Sequence, residues 1–147
     1  MAYSSQTLLE QAVGGASILV QLLDKNGDGT ADAALITECL DRGDEEVNGK
    51  IQVAVQLPLT TVPERVKRAA TDIACYWAFQ IGTAGQGTPG DVRVRYEAAQ
   101  KFLDDVAERR QTVGAVAKPP TDQQVTEVQV EPYVVGTSIR DSLKGLW

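Results

Sequence analysis

Apolar residues recur at steps of three and four along most of this chain, and that spacing commits it to helices packed by one face. Ile36, Leu40, Gly43, Val47, Ile51 and Ala54 make one stripe. Val66, Ala69, Ala70, Ile73, Ala74 and Trp77 make a second, and Val92, Tyr96, Ala99, Leu103 and Val106 a third. Two shorter helices precede them. Ser4 or Ser5 caps the first, which Gly14-Gly15 ends, and residues 16–23 are apolar on most faces. With 147 residues and 43% apolar content the chain can bury a single core. The expected fold is mainly α: a small helical bundle over residues 1–111, then an extended C-terminal arm over 112–147.

Between the second and third helices runs Asp24-Lys25-Asn26-Gly27-Asp28-Gly29-Thr30-Ala31-Asp32. Oxygen side chains at Asp24, Asn26 and Asp28 followed by a glycine resemble the first half of a calcium loop, with Asp32 at the ninth position. The twelfth position is Leu35, so the bidentate glutamate is missing. Two readings stand: a weak Ca2+ site, or a self-capped turn into the next helix, since Asp and Asn also serve orphan backbone amides.

Asn48-Gly49 carries a hairpin signal, and Ile51, Val53, Val55 and Leu57 alternate as a strand would. Nothing upstream alternates to pair with them, so helix is expected to about residue 54. Leu57-Pro58 and Val62-Pro63 turn the chain. Thr61 and Glu64 have capping-box spacing ahead of the next helix, which is expected to run to about Phe79. Residues 82–90 hold four glycines and form a connection. Thr88-Pro89-Gly90-Asp91 restarts a helix with a threonine cap and proline at its first position, and the helix closes on Arg109-Arg110.

Histidine is absent, which removes His-based triads, His general bases and His metal ligands. Net charge is −6, so a grip on nucleic acid through phosphate contacts is not expected; DNA would pass without specific binding. Cys39 and Cys75 lack CxxC spacing and are read as buried small hydrophobes. No apolar run reaches the length of a membrane span, and residues 1–20 lack the basic start of a signal peptide, so a protein made in a reducing cytoplasm is expected. Asp104 and Asp105 are adjacent on a helix and point in different directions, so they make no acid–base pair. No enzyme and no cofactor are expected.

The third helix carries Glu38, Asp41, Asp44, Glu45 and Glu46 opposite its stripe, read as a solvated face. Arg65, Lys67 and Arg68 form a compact basic patch, the natural complement to the Asp41, Asp44, Glu45 and Glu46 face of an adjacent subunit. The arm has too little apolar surface to fold alone, yet carries Ile139, Leu143, Leu146 and Trp147 close together. It is expected to dock elsewhere through that anchor.

These parts in this order resemble the Mu-type head-to-tail adaptor (head-completion) family of tailed-phage neck proteins. The resemblance rests on Ala2-Tyr3-Ser4-Ser5-Gln6-Thr7-Leu8, the 24–32 loop, Leu57-Pro58-Leu59 with Val62-Pro63, Asp72-Ile73-Ala74, Arg95-Tyr96-Glu97-Ala98-Ala99 and Arg140-Asp141-Ser142-Leu143-Lys144-Gly145. It implies a non-enzymatic helical bundle assembling as a homo-oligomeric, twelvefold ring in the virion neck, made in the host bacterial cytoplasm. The portal protein would lie above it and a stopper or tail protein below. The glycine-rich 82–90 loop is the departure from the pattern. The alternative from another class is a calcium-binding protein-interaction module using residues 24–32.

Overall fold

The computed structural model describes residues 2–119; the anchor residues Ile139, Leu143, Leu146 and Trp147 lie outside them. Five helices follow in order: α1 (Gln6–Val13), α2 (Ala16–Leu23), α3 (Ala33–Ile51), α4 (Glu64–Gly82) and α5 (Gly90–Ala107). The architecture is mainly α, as expected. α4 is the axial helix and touches each of the other four, while α3 and α5 also pack on one another.

Local chemistry sets the helix ends. The Ser5 hydroxyl accepts from the Leu8 amide, and α1 ends at Gly14, whose φ of 107° is left-handed. There the Gly15 amide reaches the Glu10 carbonyl and the Gly14 amide the Gln11 carbonyl, a Schellman stop. Two expected caps are corrected. α4 starts at Glu64 with Pro63 as its cap residue, and Glu64 pairs with Lys67 at 2.7 Å instead of closing a box with Thr61. α5 starts at Gly90, because the Thr88 hydroxyl is engaged by Gln80 Nε2 at 2.7 Å. In both cases a proline, with its fixed φ and no amide to satisfy, makes the entry without a side-chain cap. α4 also runs past Phe79 to Gly82, where an added Cβ would sit 2.7 Å from a Leu22 methyl and 2.9 Å from its Cα.

α3 keeps Asn48-Gly49 inside the helix and stops at Ile51, three residues short of the expected end. The alternation after it has a partner after all, supplied from far along the chain. Val55 bridges Ala117 antiparallel, with the Gln56 amide on the Val116 carbonyl (3.0 Å) and the Lys118 amide on the Ala54 carbonyl (2.8 Å). Val113 is buried against the bundle, so the first residues of the expected arm lie on the helical core.

Two hydrophobic clusters share α4. One gathers Val47, Ile51, Val66, Ile73, Leu103 and Val106. The other gathers Leu9, Leu19, Leu23, Ile36, Cys39 and Cys75. Both cysteines are free and buried, and burial pushes the Cys39 thiol up to about 12 and the Cys75 thiol to about 11. At those values neither is a nucleophile near neutrality.

Candidate functional site

The 24–32 loop spends its oxygens on its own backbone. Asp24 accepts from the amides of Gly27 (2.7 Å), Asp28 (3.2 Å) and Gly29 (2.9 Å). Asn26 accepts from the Asp28 amide, Asp28 from both the amide and hydroxyl of Thr30, and Asp32 from the Lys25 amide. The Thr30 bonds hold the Asp28 carboxyl below its usual range. Gly27 and Gly29, at φ of 77° and 84°, permit the turn. These bonds cap amides within the loop, while Asp32, at the N-terminus of α3, makes no side-chain cap bond to that helix. Among the described residues, no three acidic or cysteine side chains converge as a metal-holding group.

The acidic face of α3 divides in two. Asp41 and Glu45 are exposed, whereas Asp44 and Glu46 turn inward. Asp44 accepts from the Tyr3 amide at 3.1 Å, and burial raises its carboxyl pKa against that bond. The Tyr3 hydroxyl donates to Asn48, so the segment before α1 is strapped along α3. Glu46 accepts from Trp77 Nε1 at 2.6 Å, from Gln100 Nε2 and from the Tyr96 hydroxyl at 3.4 Å. Around it Tyr76 stacks on Tyr96 with ring centres 4.0 Å apart, and the Arg42 guanidinium covers Trp77 at 4.4 Å. Glu46 thus joins α3 to α4 and α5, rather than facing solvent as the charge run alone implied. Trp77 is half-buried within this group.

The basic patch divides as well. Lys67 is engaged by Glu64 at 2.7 Å. Arg65 and Arg68 form no ion pair among the described residues and line a groove between α4 and α5. Its volume is about 210 Å³, and its floor is Ala69, Ala98, Ala99 and Phe102. Arg65 lies over the Phe102 ring at 4.7 Å. The far wall is Arg95, which donates to Asp72 (3.4 Å) and to the Ala12 carbonyl (3.1 Å). Burial raises the Asp72 carboxyl, against the pull of Arg95 and Arg68. A second groove of about 360 Å³, between α1 and α4, shares Arg68 and Asp72. Arg95 and Phe102 were not among the expected interface residues. The signal that could have found them is the register of α5, which puts both on the side of that helix turned to α4.

The fold and these surfaces define the class: a small α-helical bundle with no membrane-crossing helix among the described residues, sealed along α3 and open along the arginine groove. The sequence profile of the family described as bacteriophage Mu, Gp36 matches residues 3–131. The chain belongs to that family and is a phage protein. No curated protein matches it.

Proposed function

We propose that the chain is a structural subunit of the phage neck, forming an adaptor ring between the portal of the DNA-filled head and the stopper or tail. The observation that carries this reading is the family match over residues 3–131, which spans the whole helical bundle and twelve residues past its described end. The chemistry of the surface supports it. Exposed Asp41 and Glu45 on α3, and Arg65 and Arg68 on α4, which form no ion pair among the described residues, put opposite charges at separate places, so that each copy offers both signs to its neighbours. The net charge of −6 suits a collar through which DNA moves without sticking. The polar groups with inward partners, Glu46, Asp44 and Asp72, serve packing rather than a reaction.

Negative-stain imaging of the full chain, alone and with a portal assembly, tests the reading. Closed rings, twelvefold on the portal, are the expected result. A protein that stays monomeric alone and fails to bind the portal overturns it.

A further inference from the structure

We propose that the groove between α4 and α5 receives the acidic segment 122–135 of a neighbouring copy of this chain. The inference rests on the ring reading for the presence of that neighbour, and deepens it by naming the contact. Three arginines, Arg65, Arg68 and Arg95, border the groove against one carboxylate, Asp72, in a protein whose net charge is −6. Arg65 and Arg68 are exposed, and among the described residues the one carboxylate lining the groove, Asp72, is half-buried and already held by Arg95. The floor between them is apolar, from Ala69, Ala98, Ala99 and Phe102. Such a site selects a ligand with carboxylates at its edges and aliphatic side chains between them.

Segment 122–135 has that composition. Between Lys118 and Arg140 the sequence carries Asp122, Glu127 and Glu131 and no Lys or Arg, interspersed with Val125, Val128, Val130 and Tyr133. The expected alternative, the acidic face of α3, is a poorer fit, because Asp44 and Glu46 are spent on Tyr3 and on Trp77 with Gln100. The basic groove and the acidic segment complement each other, and neither complements itself. Two-fold pairing through either one alone is therefore disfavoured, and each copy presents one of each, which is the heterologous arrangement that closes a ring.

The test uses full-length chains carrying Ala98→Cys on the groove floor or Glu127→Cys in the segment. Cys39 and Cys75 are buried and stay silent. Mixing the two single variants under mild oxidation should give a disulfide-linked dimer as the main product. Adding Arg65→Glu and Arg68→Glu to the Ala98→Cys chain should reduce that product at least tenfold, and circular dichroism should confirm that the helices persist. Absence of the linked dimer, or linkage only within one chain carrying both cysteines, overturns the proposal. Imaging the same samples separates the two ideas. Rings without the cross-link remove the groove contact and leave the ring; linked pairs without rings keep the contact and remove the ring.

Discussion

α4 has two flanks of opposite character. Against α3 it is closed: Gly43 brings the helices so near that an added Cβ would lie 2.7 Å from the Ala70 carbonyl oxygen. One turn on, Glu46 gathers hydrogen bonds from Trp77, Tyr96 and Gln100. Against the first half of α4, α5 leaves a groove whose arginines have charge to spare. The closed flank satisfies its polar groups within the bundle, and the open flank leaves Arg65 and Arg68 without an ion pair among the described residues. Stability should therefore be concentrated on the first and association on the second.

The largest effect should come from filling the closest approach. Gly43→Leu is expected to destabilise the domain by about 3 kcal/mol, because the obstacle is helix backbone that cannot turn aside. Gly49→Ala in the same helix is the internal control. Nothing lies within 4 Å of its added methyl, so removing glycine's backbone freedom should stabilise by about 0.5–1 kcal/mol. Urea midpoints of both variants measure the contrast, and equal losses at the two positions would break the picture of a single tight crossing.

Next in size is Glu46→Ala, which leaves the Trp77 indole N–H without its acceptor. A loss of about 1–2 kcal/mol is expected, with a shift of Trp77 emission when Trp147 is replaced by Phe. An unchanged urea midpoint would return Glu46 to the solvated face.

A smaller effect should appear with pH. Both thiols are raised from 9.0 in the folded chain, to about 12 for Cys39 and about 11 for Cys75. Their contribution to stability is complete below pH 9 and is lost as pH rises through about 11 for Cys75 and about 12 for Cys39. The hydroxyls of Tyr3 and Tyr96 are raised by burial too, with the same sign. Stability should decline from pH 9 towards 12, and less steeply in Cys39→Ala/Cys75→Ala. A slope identical in both proteins would show that the thiols are not protected.

The smallest effect on stability should come from the open flank. Arg65→Ala with Arg68→Ala should move the urea midpoint by no more than about 0.5 kcal/mol while weakening self-association measured by sedimentation. Equal loss of both would make the groove a packing feature.

The helical fold was legible because a stripe such as Val92, Ala99, Leu103 and Val106 is a local pattern, and each of these residues is buried. The hydrogen bonds within 24–32 are local too, since every partner of the Asp24 side chain lies within five residues. Glu46 was misjudged because its partners Trp77 and Gln100 are 31 and 54 positions away, and a charge run carries no record of them. The strand-like alternation at Val55 had a true cause, but its partner Ala117 sits in a stretch without periodicity. Arg65 and Arg68 could be found as a patch; that Arg95 and Phe102 complete the groove depends on how α5 lies on α4, which propensity does not encode.

The Arg95 guanidinium also ties the order of synthesis to the order of folding. It holds the carbonyl of Ala12 across 83 positions, at the end of α1, which is made well before α5. Tyr3 likewise waits for Asp44 and Asn48. At about 5–20 residues per second, the opening helix therefore spends several seconds without its lock. A chain lacking α5 would miss the Arg95 bond to α1 while keeping Tyr3 on Asp44 and Asn48.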